Sequence, residues 1–278
     1  VHYRHAYHAG NFADVFKHLI LVALLRRLSD KPAPWAMLDS HAGAGLYTLD
    51  GGVDGVAGEW RDGVGRLWGA PVTSVALADW QALLTAANPG GALRFYPGSP
   101  WLARRGARED DRIVACEAVA EVADQLRARV PGLELHRRNG YELASLLPPR
   151  ERRGLLLIDP PFERADEFDA MAAFVDQARQ RFAGGVYALW YPLKNRHAAA
   201  RFVRRTARGV EALECGLDTG AAGDGRMRAC AMLILNPPWG IEATLAPALE
   251  ELARLLARGP AAESWVEPIR PEASMTQR

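Results

Sequence analysis

Short apolar runs alternate with helix-period stretches along most of this chain. Phe12, Val15, Phe16, Leu19, Ile20 and Ala23 recur at helical spacing and predict a helix over residues 12–28. Asn11 is its expected N-cap, with Asp14 completing a capping box three residues on. Lys31-Pro32-Ala33-Pro34 ends it. Residues 35–38 read as a first strand ending at Asp39. Further strands are expected at 113–116, 133–136, 155–158, 186–190, 210–215 and 230–235. Helical patterns separate most of them, at 119–129, 141–146, 168–182 and 198–208. This alternation predicts an α/β fold with a mostly parallel, doubly wound sheet.

One interval breaks the rhythm. Between Asp39 and Ile113 a single crossover helix suffices, and residues 100–108 supply it. Residues 50–95 remain, with helical patterns at 59–68 and 75–87 divided by Gly69-Ala70-Pro71. They are expected to form a small helical insertion at the strand-end face. The main domain is then 1–49 with 96–268, residues 1–11 forming an arm over the site and 269–278 a loose tail.

Composition narrows the setting. The 278 residues are 49% hydrophobic, which is ordinary for a folded protein. The apolar run from Leu19 to Leu25 is far too short to span a bilayer, and no secretory pattern opens the chain. Cys116, Cys215 and Cys230 lie far apart in apolar runs and read as buried small residues. A cytoplasmic location is expected. The net charge is only +1, but arginines cluster at 104, 105 and 108; 137 and 138; 150, 152 and 153; and 201, 204, 205 and 208. A solvated face explains any one cluster. Four together favour a polyanionic partner.

The candidate chemistry sits at strand ends. Asp159-Pro160-Pro161-Phe162 follows the buried run Gly154-Leu155-Leu156-Leu157-Ile158. The prolines stiffen the turn. The Asp159 carboxylate and the Pro160 carbonyl then offer two acceptors beside the Phe162 ring. An exocyclic amine on a flat base fits that arrangement, donating to both oxygens while the base stacks.

Asp39-Ser40-His41-Ala42-Gly43-Ala44-Gly45 follows the first strand, where small residues admit a ligand close to the backbone. Glu117 ends the second strand and can accept from ribose hydroxyls. Asn139-Gly140 follows the third, where an amide can read an adenine edge. The dinucleotide pattern G-x-G-x-x-G and the P-loop are both absent. A nucleoside cofactor without phosphates is preferred, and S-adenosyl-L-methionine is the obvious one.

The motifs resemble a family. Tyr3-Arg4-His5, His8-Ala9-Gly10-Asn11, Asp14 and Lys17-His18 look like the opening of the bacterial 23S ribosomal RNA adenine-N6 methyltransferases of the RlmJ type. So do residues 39–45, Tyr96-Pro97-Gly98-Ser99-Pro100, Asp159-Pro160-Pro161, Ala188-Leu189-Trp190-Tyr191-Pro192 and Asn236-Pro237-Pro238-Trp239. The resemblance implies a Rossmann-like class I methyltransferase with a helical insertion. It implies that His18, His41, Gly43, Ser99, Glu117, Asn139, Gly140 and Asp159 line the cofactor site. It places Tyr3, His5, Lys17 and Phe162 at the target nucleotide, with Lys17, Asp159, Pro160, Pro161 and Phe162 at the reacting centre. The implied partner is 23S rRNA before full ribosome assembly, bound by a monomer with no metal and no membrane contact. Phe162 stands where the family more often has Tyr, and Asn139 where it has Asp.

Alternatives stay open. The same chemistry serves a DNA adenine-N6 methyltransferase, and the fold also suits a non-catalytic protein of nucleic-acid binding or external-DNA use. Asn236-Pro237-Pro238-Trp239 is a rival amine site, but a last strand running antiparallel carries it to the opposite face; a structural turn with a packed Trp239 is expected. Four of the seven histidines fall in the first 18 residues, without the cysteines or paired carboxylates of a metal site.

Overall fold

All seven expected strands are present, and an eighth joins their sheet. The computed structural model describes residues 8–49, 58–222 and 227–271. The strands are β1 (Ala36–Asp39), β4 (Arg112–Cys116), β5 (Glu134–His136), β6 (Gly154–Ile158), β7 (Val186–Pro192), β8 (Ala212–Asp218), β9 (Ala229–Leu235) and β10 (Glu263–Ile269). Their spatial order is β10-β8-β9-β7-β6-β1-β4-β5. From β5 to β7 neighbours are parallel, whereas β9 runs antiparallel to both β7 and β8. This is the Rossmann-like order, with β10 added antiparallel at the β8 edge.

The pleat sorts the apolar runs between two layers. Met37, Leu155, Leu157, Val186 and Ala188 face α1 (Phe12–Ser29) and α8 (Ile241–Leu256). Ala36, Leu38, Leu156, Ile158, Tyr187 and Leu189 face α6 (Glu167–Arg181) and α7 (Arg196–Thr206). Strands buried on both faces must be apolar at every position, and all five residues of β6 are buried. The helix α1 is covered on every side: 15 of its 18 residues are buried, among them Asp14, Lys17 and His18.

The interval before β4 departs most from expectation. Two three-residue strands, β2 (Leu46–Thr48) and β3 (Phe95–Pro97), form an antiparallel ribbon unmarked by any pattern. The expected helix at 59–68 breaks into a 3-10 turn, Glu59–Asp62, and a short α2, Val64–Leu67. Gly63 lies at the break, where a Cβ would come within 2.1 Å of the Gly10 carbonyl. Next come α3 (Val75–Ala86) and α4 (Ser99–Gly106), the crossover into β4. Leu77, Trp80 and Leu84 of α3 join the core around α1 and α8. After β4, α5 (Ala120–Arg129) leads to β5, and residues 140–146 form a 3-10 helix.

Many of the clustered arginines serve the fold. Arg108 donates to the carbonyls of Lys31, Pro32 and Ala33 and pairs with Asp111. Arg153 donates to the carbonyls of Ala33 and Leu28. Arg205 ties α7 to Asp169 and Asp176 of α6. Clustering alone therefore overstated the charge open to a polyanion. Among the described residues, no helix is long and apolar enough to cross a membrane.

Candidate active site

Asp159 leaves the carboxyl end of β6 beside β1, with Asp39 in register with Leu157. Its Oδ2 accepts from Lys17 Nζ at 2.5 Å, and Lys17 also donates to Asp14 Oδ1 at 2.9 Å. Asn11 caps α1 by accepting from the Ala13 and Asp14 amides. Asp14 in turn accepts from the Gly10 amide, one residue before the cap. The start of α1 is thus pinned, and Lys17 emerges one turn later between two carboxylates. Burial alone would lower its pKa, but Asp14 and Asp159 outweigh that and raise it well above the usual lysine value. Lys17 stays a cation and is no base.

Among the described residues, Asp159 Oδ1 and the Pro160 carbonyl have no donor bonded to them. Phe162 holds φ +52°, a left-handed conformation that is costly for an aromatic residue and common at functional turns. Its half-buried ring meets Phe168 and Trp190 edge to face, at centroid distances of 5.2 and 5.8 Å. One strand-end turn therefore carries two unbonded acceptors and a braced ring.

The rest of the cleft follows the strand ends toward β5. Asp39 is fully buried; its Oδ2 accepts from Ser99 Oγ at 2.6 Å and its Oδ1 from the His41 amide at 3.2 Å. The crossover helix α4 therefore starts against β1 although 60 residues intervene. The turn 43–45 is fixed from the ribbon: Ala44 N–H donates to Tyr47 Oη, and Gly98 N–H to the Gly45 carbonyl. Gly43 holds φ +64° and donates to Glu117 Oε2, while Val119 N–H donates to Glu117 Oε1. A Cβ on Gly140 would lie 2.0 Å from the Ser40 carbonyl, so only glycine fits there. Asn139 is exposed and caps the following 3-10 helix through Oδ1, which accepts from the Tyr141 amide.

Lys17, Asp39, His41, Gly43, Ser99, Glu117, Gly140, Asp159 and Phe162 thus gather around the carboxyl ends of the parallel strands, with Lys17, Asp39, Ser99 and Gly140 buried. His18 lies beneath them: 1% exposed, with Nδ1 2.8 Å from Tyr96 Oη. Tyr3 and His5 lie outside the described residues. Tyr47 and the Tyr141–Glu167 pair, 2.5 Å apart, have no part in the sequence reading, and Asp14 and Tyr96 stand in its motifs without a role at the site. Asp14 stood in a motif, but nothing in its spacing tied it to Asp159. Burial lowers His41 to about 4 against a smaller opposing pull from Asp159, so its ring is neutral at neutral pH.

The cleft suits a cation. The carboxylates of Glu117 and Asp159 stand at these strand ends with Asp39 buried between them, and the start of α4 faces the protein's own Asp39 rather than a phosphate. Burial, opposed by the Ser99 hydrogen bond and reinforced by Asp159, pushes Asp39 up to about 6. A group raised on folding stabilises the fold fully below its ordinary value of 3.8 and loses that contribution as pH rises through about 6. In the unliganded protein, Asp39→Asn should therefore gain stability relative to the parent between pH 4 and 7, by on the order of 3 kcal/mol. Urea unfolding at both ends of that window measures it; an unchanged difference would show that Asp39 does not titrate there.

Among the described residues, no group of three His, Cys, Asp or Glu side chains could hold a metal ion. The Asn236-Pro237-Pro238-Trp239 turn lies at the other end of the sheet, because β9 is antiparallel to β7 and pairs Leu235 with Tyr187. The expected packing of Trp239 is wrong: the side chain is 90% exposed.

The comparisons agree with this architecture. The family model described as ribosomal RNA large subunit methyltransferase D, RlmJ, matches residues 32–267. A Haemophilus influenzae protein named ribosomal RNA large subunit methyltransferase J is 35% identical over 97% of this chain and 99% of its own length. Its Escherichia coli namesake is 36% identical over 96% and 99%. A crystal structure of a Legionella pneumophila protein superposes with a TM-score of 0.85 at 29% identity, covering 94% of this chain and 98% of that one. The fold, the strand-end cleft and these near full-length matches place the chain in the RlmJ family of ribosomal RNA large subunit methyltransferases.

Proposed function

We propose that this protein transfers a methyl group from S-adenosylmethionine to N6 of an adenosine in 23S ribosomal RNA. The observation that carries the reading is the pair of open acceptors, Asp159 Oδ1 and the Pro160 carbonyl, beside Phe162 and adjoining the Asp39–Gly45 turn. Family membership supports the rRNA substrate.

The residues fit that cofactor. Gly43 and Gly140 let the Asp39–Gly45 turn close against Tyr47 and Ser40, Glu117 retains lone pairs for ribose hydroxyls, and Asp39 is a buried counter-charge for a cationic tail. When bound, the cofactor supplies an electrophilic methyl on a sulfonium. The protein's own work is positional. Asp159 Oδ1 and the Pro160 carbonyl accept the two N6 hydrogens, which favours a pyramidal nitrogen with its lone pair exposed. Lys17 clamps Oδ2 and so fixes the direction in which Oδ1 faces. The target base stacks on Phe162 after extrusion from its helix. On transfer of that methyl, Asp159 would take the surplus N6 proton and pass it to solvent. Lys17, held protonated, cannot take it. Tyr3, His5 and the rest of the arm are assigned to the nucleotide on the family resemblance.

Incubating the protein with labelled S-adenosylmethionine and unmodified 23S rRNA, beside matched DNA, tests this. Label at N6 of one adenosine in the RNA is expected. Label in DNA alone, or none in protein that binds the donor, overturns it.

A further inference from the structure

The Asn236–Gly240 turn is built more firmly than a connection requires. Asn236 holds φ +51°, and its amide donates to the carbonyls of Ala183 and Gly185 at 2.8 and 2.7 Å. Pro237 and Pro238 stiffen the next two positions. Gly240 follows at φ +77°, where a Cβ would meet Arg27 Nη2 at 2.8 Å. Arg27 donates through Nε and Nη2 to the Trp239 carbonyl at 2.9 and 2.7 Å, and its guanidinium lies 5.7 Å from the indole centroid. The outcome is a tryptophan held by its backbone yet 90% exposed. Exposing so large an aromatic group on a rigid mount points to a partner.

The surroundings select the kind of partner. A protein-binding anchor sits within an apolar patch. Among the described residues the other exposed large hydrophobics are Val75 and Val119, each on a different element, so Trp239 has no such patch. Its charged neighbour at the end of α1 is Arg27, which also pairs with Asp30. An isolated indole backed by a guanidinium is the equipment of a base-stacking platform. We infer that Trp239 and Arg27 form a second RNA contact, stacking an unpaired nucleobase of the substrate on the face opposite the Asp159 cleft. The seven-residue β9 and the β6–β7 pair separate the two sites by roughly 20 Å.

This inference rests on the rRNA reading above. Its test measures binding rather than catalysis, so each can fail alone. The full chain, Trp239→Ala and Trp239→Phe are titrated with transcribed 23S rRNA and, separately, with S-adenosylmethionine. Trp239→Ala should weaken rRNA binding about tenfold, Trp239→Phe should keep most of it, and donor affinity should not change. Parental rRNA affinity in Trp239→Ala overturns the platform, as does an equal loss in both variants. Self-association of the parent that Trp239→Ala abolishes would assign the indole to a protein contact and overturn it too. Parental RNA binding without methyl transfer would sink the catalytic proposal and leave this one standing.

Discussion

Asp159→Ala is expected to lower kcat for RNA methylation about a thousandfold, the scale seen when one preorganised electrostatic contact to a reacting group is removed. The loss should fall on kcat. Donor binding should hold within a few-fold, because Asp39, Glu117 and the 43–45 turn remain in place. Asp159→Asn keeps an acceptor oxygen and should retain more activity than alanine. It loses the charge that steadies Lys17, so it should not reach the parental rate. Single-turnover methylation with saturating donor separates these effects. A full rate in Asp159→Ala would mean that the amine is held elsewhere.

The second large effect is on stability. Lys17 lies between Asp14 and Asp159, with side-chain exposures of 6%, 6% and 15%. Lys17→Met leaves both carboxylates without their cation. Removing one partner of a buried ion pair costs about 3–5 kcal/mol. The expected result is a lower urea midpoint with an unchanged slope. The Lys17→Met/Asp14→Asn double variant should recover part of that loss, since one stranded charge is gone. Because Lys17 is raised on folding, its contribution is complete below the ordinary lysine value of 10.5 and disappears only as pH climbs through the higher folded value. Comparisons at pH 7–8 therefore read the whole effect. A parental midpoint in Lys17→Met would show that the three groups are not mutually dependent.

Much of this molecule was legible from its residues. Runs such as Leu155–Ile158 must be strands buried on both faces, because every position is apolar. A carboxylate ending such a run stands at the carboxyl end of the sheet, where α/β proteins bind ligands, which made Asp39 and Asp159 candidates. Elements without a pattern were lost. β2 and β3 have three residues each, too few for any periodicity, and β10 is a half-exposed edge strand carrying Pro268. Partnerships across long separations were equally invisible. Lys17 and Asp159 are 142 residues apart, and no spacing rule joins them. Trp239 misled for the opposite reason: an aromatic after two prolines reads as packing, and only the fold shows that Arg27 holds its backbone and leaves its ring outside.

The total enclosure of α1 has a bearing on how the chain matures. This helix is translated before its partners, since part of its cover comes from α8, residues 241–256, and from β6 and β9. A ribosome must reach residue 256 before that apolar cylinder can be fully sheathed, and any fragment ending before residue 241 leaves it partly bare. Lys17 meets Asp159 on the same schedule, so the reacting centre cannot assemble ahead of the core that surrounds it.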